Sequence, residues 1–194
     1  MNSRTQKESE LKTLLIGKTI SDAFYYCMNR PSYLFPDAPE QLIDAGVSIK
    51  IGENDFFSLG MNFNFVAIDT FVIKYDEIIK EFSDELPFVE VLATEDSFWK
   101  NCIGEKIEQI YIVWNWFEDV EEQIYYIPQD IEFELSNGKY LAFCTTSYNI
   151  DDEGLNILEP DSEGEILVLF SPEDTKFFKR GRYYEGNNNL PVEP

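Results

Sequence analysis

The chain has 194 residues and a formal net charge of −22, from 15 basic and 37 acidic residues with no histidine. An acidic excess of this size repels nucleic acids and anionic membranes and attracts basic partners. The absence of histidine removes the usual general base and the commonest transition-metal ligand. Composition therefore argues against an enzyme of the common classes and against direct nucleic-acid or membrane binding.

The first half of the chain is predicted to begin with a helix that ends at Gly17, because glycine favours a helix C-terminus. A later stretch with three prolines is predicted to be an irregular connection. The predicted elements, in order, are a helix at 3–15, a strand at 20–28, the connection at 29–42, a hairpin at 47–59, a strand at 63–73 and an amphipathic helix at 75–82.

The second half contains the strongest local signal, a hairpin at 131–143. Apolar Ile131, Phe133 and Leu135 alternate with polar residues, which is typical of a strand with one buried and one solvated face. Asn137-Gly138 favours a type I′ turn. The other predicted elements are a strand at 88–92, a short helix from Thr94 to Gly104, a strand at 107–117, a strand at 165–170 and a helix at 171–181.

The order of elements is the same in both halves. The two hairpins are 84 residues apart, and the pairs Ile16-Gly17 and Ile103-Gly104 are 87 apart. The sequence therefore predicts an α+β fold, a mainly antiparallel β-sheet with a few short helices, in two similar halves at 1–90 and 91–185 followed by a loose tail at 186–194. Internal duplication explains this order. The alternative is coincidence, because any two hairpins share the alternation.

No motif for catalysis or cofactor binding occurs in the chain, which lacks GxSxG, SxxK, GxGxxG and GxxxxGK. Cys27, Cys102 and Cys144 are odd in number and widely spaced, so they are interpreted as buried apolar residues. Residues 149–154 resemble the first half of an EF-hand loop, but Pro160 occupies the position of the bidentate glutamate. We therefore predict no catalytic residue, no cofactor and no metal. A hydrolase with a carboxylate pair stays open as a third interpretation.

Acidic residues are concentrated between Lys106 and Lys176, where 17 Asp or Glu accompany a single base, Lys139. Several of the acidic clusters adjoin aromatic residues, and such a surface is complementary to a basic protein. The alternative for any one cluster is a solvated loop. The predicted partner-binding residues are Trp116, Glu118, Asp119, Glu121, Glu122, Tyr125, Tyr148, Asp151, Asp152, Glu153, Glu159, Asp161 and Glu163.

In size, acidity, α+β pattern and lack of catalytic motifs, the chain resembles the immunity proteins of bacterial polymorphic-toxin and contact-dependent inhibition systems. The elements that carry the resemblance are Ile103-Gly104, the stretch 131–143 and the acidic cluster 118–122. The resemblance implies a small cytoplasmic protein that binds one toxin domain, often a basic nuclease, and blocks its active site.

The expected function is thus neutralisation of a basic protein partner, with a cognate toxin domain as the expected partner. The N-terminal residues show no apolar core of signal-peptide length, and no run approaches a membrane span, so a cytoplasmic location is expected. The alternative is a nucleic-acid mimic, or anti-defence protein, whose carboxylates occupy a DNA- or RNA-binding groove.

Overall fold

The computed structural model describes residues 4–28, 36–43, 46–61, 68–74, 88–118, 124–151, 154–159 and 165–171. Within them lie helix α1 (Arg4–Leu15), one 3-10 turn (Trp99–Asn101) and the strands β1 (Asp22–Met28), β2 (Glu40–Ile43), β3 (Gly46–Lys50), β4 (Asp55–Met61), β5 (Ile68–Lys74), β6 (Phe88–Leu92), β7 (Ile107–Glu118), β8 (Ile124–Leu135), β9 (Tyr140–Asp151), β10 (Gly154–Glu159) and β11 (Glu165–Leu169). All their pairings are antiparallel. The predicted fold class, α+β with mainly antiparallel sheet, is confirmed.

The strands form two sheets that share one core. The first has the order β5-β4-β3-β1-β6 and the second the order β2-β11-β9-β8-β7, with β10 paired to the far part of β9. Phe57 of the first sheet lies 5.5 Å from Phe133 and 6.3 Å from Phe143 of the second, measured between ring centroids. One hydrophobic cluster contains buried residues of both sheets and of α1. Strand β2 also joins the halves, because it pairs with β11 at the edge of the second sheet.

A chain of buried hydrogen bonds connects three segments that are distant in sequence. The indole N–H of Trp99 donates to the hydroxyl of Tyr25 at 2.5 Å, and that hydroxyl donates to Oε1 of Gln41 at 2.6 Å. All three side chains are fully buried. The contacts fix the 3-10 turn and β2 against β1 while satisfying polar groups that would be costly to bury unpaired.

The helix predicted to start at Thr94 is wrong, because residues 94–98 form turns before the 3-10 turn. The hydroxyl of Thr94 accepts a hydrogen bond from the N–H of Ala23 at 3.0 Å, so Thr94 supports β1. The buried Asp96 instead accepts backbone hydrogen bonds from two segments. Its Oδ1 accepts from the N–H of Phe98 at 2.9 Å and its Oδ2 from the N–H of Asp37 at 2.7 Å.

The turn at Asn137-Gly138 also differs from the prediction. Gly138 has a φ of 74°, whereas Asn137 does not adopt a positive φ. The N–H of Leu135 donates to the carbonyl of Lys139 at 2.9 Å, which closes a loop of three residues. This geometry matches a type I turn followed by a glycine bulge, and it excludes the type I′ turn, which needs two positive φ values.

Two further differences concern strand positions. The connection predicted to be irregular contains β2, and the acidic stretch after Asp151 contains β10. The boundary predicted at residue 90 falls inside β6, which pairs with β1 throughout. The helices predicted at 75–82 and 171–181 and the tail at 186–194 lie outside the described residues, apart from Ser171.

The two sheets agree in register. Adding 84 to both members of the pair Gly46↔Gly60 gives Asp130↔Cys144, and the whole β3–β4 pairing maps onto β8–β9 in the same way. Adding 87 on β1 and 84 on β3 maps Asp22↔Lys50 onto Gln109↔Glu134. Identical registers are what a duplication of the chain would leave, although the duplication itself stays a prediction.

The two halves of the chain meet at a contact to which both contribute equivalent residues. Thr19 pairs with Lys106, which is 87 residues later. The N–H of Gly17 donates to the carbonyl of Ile107 at 2.8 Å, and the N–H of Gly104 donates to that of Ile20 at 2.8 Å. Each bond becomes the other when 87 is added to one residue and subtracted from its partner. Such reciprocal contacts are the mark of an isologous interface.

We expect Gly17→Ala and Gly104→Ala to destabilise the protein by similar amounts, about 1–2 kcal/mol each. Both glycines have positive φ, 82° and 87°, and an added Cβ would meet nothing within 4 Å. The loss is then backbone strain alone, which costs roughly 1–2 kcal/mol for an L residue in this region. Urea unfolding measures it. Gly52→Ala, at a glycine without positive φ, is the control and should cost less, because its added Cβ would crowd only the exposed side chain of Asp55, at 3.1 Å, which can move away. A large loss at one glycine and none at the other would contradict the equivalence of the halves.

Candidate functional site

Six of the predicted partner-binding residues lie in described strands. Trp116 and Glu118 are near the end of β7, Tyr125 is near the start of β8, Tyr148 and Asp151 are near the end of β9, and Glu159 ends β10. The other seven lie outside the described residues: Asp119, Glu121, Glu122, Asp152, Glu153, Asp161 and Glu163.

The strand pairing brings the described six to one end of the second sheet. Glu118 pairs with Ile124 where β7 passes to β8, and Asp151 pairs with Gly154 where β9 passes to β10. Because β8 and β9 are antiparallel and Asp130 pairs with Cys144, the start of β8 and the end of β9 point the same way. Strand β11 also starts at this end, with Glu165 opposite Thr146. We call this end of the sheet the acidic end.

The segments of the chain that adjoin these strand ends are acidic in sequence. The segments 118–122, 151–153 and 159–165, which end or join these strands, contain four, three and four acidic residues and no basic one. The opposite end of the sheet has the turn at 136–139 with Lys139, and Lys106 is hydrogen-bonded to Ser136 there through its backbone. Charge is therefore distributed unevenly along the strands of this sheet.

Aromatic residues occupy opposed positions in the strands that reach the acidic end. Trp116 is directly opposite Tyr126, and Phe117 is directly opposite Tyr125. These are two successive pairs of the β7–β8 register. The predicted site residues Trp116 and Tyr125 therefore belong to adjacent pairs of strand partners.

Two buried carboxylates of this sheet were missed by the sequence analysis. The alternation assigned Glu132 to a solvated face, but Asp130 and Glu132 are only 1% and 5% exposed. Both belong to the face of the sheet that also carries a small buried cluster with Leu167 and Leu169. This face of the sheet is therefore buried as well. Glutamates at alternate positions indicate a solvated face, so the sequence pattern did not predict this burial.

The thiol of Cys144 is directly opposite Asp130. Burial raises the pKa of Cys144 well above its ordinary value of 9.0, and the nearby charge of Asp130 and a hydrogen bond with its carboxylate act in the same direction. Burial likewise raises the pKa of Cys102 to about 12, with a further contribution from Glu105. Neither thiol is a thiolate near neutral pH, so neither has the character of a reactive nucleophile.

We expect the stability of the protein to fall as pH rises above about 9, partly through Cys102. In the unfolded chain this thiol ionises near 9.0, whereas the folded protein keeps the proton up to about 12. Because the folded state binds more protons in this interval, the free energy of unfolding decreases by about 1.4 kcal/mol per pH unit for one such group. Below the unfolded pKa the contribution is fully present.

Urea unfolding at several pH values between roughly 8 and 11 measures this slope. The control is Cys102→Ala, which lowers stability at every pH but removes one ionisable group and so flattens the slope. Equal slopes for the two proteins would show that the Cys102 thiol ionises alike in both states.

No group of three or more Cys, Asp or Glu side chains within the described ranges could hold a metal ion. The stretch that resembles half of an EF-hand loop has another structure. Asn149 and Asp151 lie in β9, Gly154 begins β10, and Asp151 pairs with Gly154 across the turn. Asn149 and Asp151 therefore belong to paired strands.

A shallow groove of about 620 Å³ runs along α1. The residues that line it are Thr5, Glu8, Ser9, Lys12, Thr13 and Ile16. None of the predicted site residues belongs to this groove. Glu8 accepts a hydrogen bond from the indole of Trp114 at 3.4 Å, which attaches α1 to β7. Its other carboxylate oxygen forms an ion pair with Lys12 at 2.6 Å within α1.

No protein-family model matches the chain, and neither a curated protein nor a solved structure does. Among the helices described, none is long and apolar enough to cross a membrane.

Proposed function

We propose that this protein binds and neutralises a basic protein, as an immunity protein neutralises its cognate toxin, with a nuclease-type toxin domain as the partner. The observation that supports the proposal is that the acidic segments 118–122, 151–153 and 159–165 adjoin strands of one sheet, among which the end of β7, the start of β8, the end of β9 and the start of β11 point the same way. Eleven acids scattered over a surface would attract any cation weakly, whereas acids gathered at one end create a local field.

The physical role of such a field is to steer a basic partner into register. Surfaces of complementary charge raise association rates by factors of about 10 to 1,000 and suppress partners of the wrong sign. Nucleases present basic surfaces because their substrates are polyanions. Occupation of that surface by carboxylates excludes the nucleic acid. This mode of inhibition needs no catalytic residue, no cofactor and no metal on the inhibitor.

Aromatic positions beside the acids support a tight complex over a purely electrostatic one. Binding energy in protein interfaces is concentrated in a few desolvated anchors, among which Trp and Tyr are enriched. The opposed positions of Trp116 with Tyr126 and of Phe117 with Tyr125 supply four such residues within two adjacent register pairs. The acids would then set the association rate and the aromatic residues the dissociation rate.

The proposal is tested by affinity capture from the native host with the full chain as bait, followed by identification of the captured protein. We expect a single basic protein, bound one to one, whose nuclease activity is inhibited by the bait. Recovery of a DNA- or RNA-binding defence protein would favour the nucleic-acid mimic. Recovery of only acidic or neutral proteins would contradict both.

A further inference from the structure

Strand β7 forms an open edge of the second sheet. It pairs with β8 on one side. On its other side, backbone contacts with described residues are confined to its start, where Ile107 accepts a hydrogen bond from the N–H of Gly17 and donates one to the carbonyl of Lys18. From Glu108 to Trp114, no segment that the structure describes pairs with this side of β7. We call this stretch the open edge.

The backbone groups of Ile110 and Ile112 face the open edge. Because Leu135 donates its N–H to β9, alternation along β8 turns the backbone groups of Glu134 toward β7. Glu134 is directly opposite Gln109, so the backbone groups of Gln109 face β8 and those of the next residue, Ile110, face away from it. By the same alternation the backbone groups of Ile112 face away as well.

The matching edge of the first sheet is filled by β6. Strand β6 pairs antiparallel with β1 throughout. Beside this pairing, the N–H of Ala93 donates to the carbonyl of Ala23 at 2.9 Å, so Ala23 turns its backbone groups toward β6. With the offset of 87 that relates β1 to β7, Ala23 corresponds to Ile110. The side of the backbone that β6 covers in the first sheet is therefore the side left open in the second.

Side-chain exposure agrees with a missing strand beside β7. Four positions of β1 are less exposed than their counterparts in β7: Asp22 than Gln109, Phe24 than Tyr111, Tyr25 than Ile112, and Tyr26 than Val113. Phe24 is directly opposite Leu92 of β6, whereas Tyr111 is 47% exposed and its hydroxyl donates to the side chain of Gln109 in its own strand. A strand beside β7 would cover Tyr111 as β6 covers Phe24.

Helix α1 approaches β7 from the core face of the sheet. Leu11 and Leu15 of the helix join Ile110 in the shared hydrophobic cluster, and Glu8 accepts the hydrogen bond from the indole of Trp114. These contacts use side chains. A helix cannot complete the ladder of β7, because its own backbone groups are bonded within it. The helix therefore leaves the open edge to an extended chain.

We propose that the open edge of β7 receives an extended segment of the basic partner, paired antiparallel to β7 as β6 is paired to β1. In strand addition, main-chain hydrogen bonds give affinity and alternate side chains give specificity. The register of β6 defines those side chains. A residue at the position of Val91 would lie opposite Ile112 and face the core, as Val91 does in the first sheet. A residue at the position of Leu92 would lie opposite Tyr111.

Charge determines the occupant. Strand β7 contains two glutamates and no base, and the exposed Glu108 lies at the beginning of the open edge. Lysine or arginine in the added segment would therefore meet charge of the opposite sign, and its cation can lie against the exposed ring of Tyr111. A second copy of this chain is disfavoured, because each copy has a net charge of −22 and the two would repel.

This inference rests on the proposed function, but its test needs no identified partner. The probe is a blocked peptide with the pattern of β6 and a lysine in place of its glutamate, Phe-Val-Lys-Val-Leu, flanked by lysines. One modified peptide carries N-methyl groups on the two valine amides, which point toward β7 in the register of β6. A matched control carries them on the amides of the central lysine and the leucine, which point away. All three are titrated calorimetrically into the full-length protein.

We expect methylation of the valine amides to weaken binding about tenfold or more, since it removes two hydrogen bonds to β7, and the control peptide to bind like the unmodified one. Equal weakening by both modifications, or by neither, would overturn strand addition and leave electrostatic attraction alone. Absence of binding by the unmodified peptide would overturn it too.

Amide hydrogen exchange locates the bound peptide. The amides of Ile110 and Ile112 should exchange rapidly in the free protein and at least about tenfold more slowly when the peptide is bound, because only then do they donate hydrogen bonds. The amide of Tyr111 faces β8 and should be protected in both states. Unchanged exchange at Ile110 and Ile112 with saturating peptide would contradict the open edge as the site.

A protein variant tests the same edge from the other side. Tyr111→Lys places a like charge beside the lysines of the peptide and removes the ring, and Leu92→Lys adds the same charge at an exposed position of β6. We expect about a tenfold loss of peptide binding for Tyr111→Lys only. Unchanged binding by Tyr111→Lys, or an equal loss for both variants, would contradict the open edge. If a variant does not fold, as judged by circular dichroism, the methylated peptides and the exchange measurement decide.

The outcomes separate this inference from the proposed function. If capture from the host yields a basic inhibited partner that binds Tyr111→Lys as tightly as the unaltered protein, the function stands and the open edge is not its site. If the captured protein is not basic, the proposed function fails, and the peptides alone judge the edge. A dimer of this chain in which Ile110 and Ile112 are protected from exchange would assign the edge to a second copy and overturn the proposal.

Discussion

Trp99→Ala should lower the free energy of unfolding by about 3–5 kcal/mol, the largest loss expected from any single substitution considered for this protein. Trp99 is fully buried, and truncation of a buried tryptophan removes its transfer free energy and leaves a cavity. The indole packs against Phe170 at 5.3 Å and Tyr25 at 6.1 Å between ring centroids. It also packs against Phe143 of the second sheet at 6.5 Å. Trp99 therefore joins both sheets.

Trp99→Phe separates packing from hydrogen bonding. Phenylalanine keeps most of the apolar contact but cannot donate to the hydroxyl of Tyr25, so a smaller loss of about 1–2 kcal/mol is expected. Leu92→Ala is the surface control, because Leu92 is 54% exposed and its truncation should change stability by less than about 0.5 kcal/mol. Chemical denaturation measures all three. A loss below that of Leu92→Ala for the alanine variant of Trp99 would refute the shared core.

Replacement of Glu118, Asp119, Glu121 and Glu122 with serine should reduce the association rate with the basic partner by about tenfold or more at low salt. Dissociation should change less, because short-range contacts determine it. The effect should shrink as salt increases, since the Debye length falls from roughly 30 Å at 10 mM to about 10 Å at 100 mM. Association and dissociation rates measured across this salt range test the expectation.

A matched variant distinguishes the position of the charges from their number. Glu10, Glu53, Glu95 and Glu108 are exposed and lie away from the acidic end, so replacing them with serine changes the net charge by the same amount. We expect this control to alter the association rate far less. Equal slowing by both sets would mean that net charge alone attracts the partner and that the acidic end has no special role.

Local sequence patterns were enough to predict the two hairpins and the residues that they bury. Alternation of apolar and polar residues predicted the hairpins at 47–59 and 131–143, and Ile131, Phe133 and Leu135 are buried as expected. Period-2 patterns are local, so a single chain displays them without its fold. The acidity and its concentration after Lys106 are likewise properties of composition.

The pairing of distant strands and the burial of the second face of a sheet depend on the tertiary structure. Strand β2 lies in a proline-rich stretch, and its pairing with β11 joins residues more than a hundred positions apart, which no local pattern encodes. Glu132 alternates as a solvated residue would, yet it is buried, because burial depends on what covers a face and not on the strand that forms it. The common direction of the start of β8 and the end of β9 likewise depends on the register of these two strands.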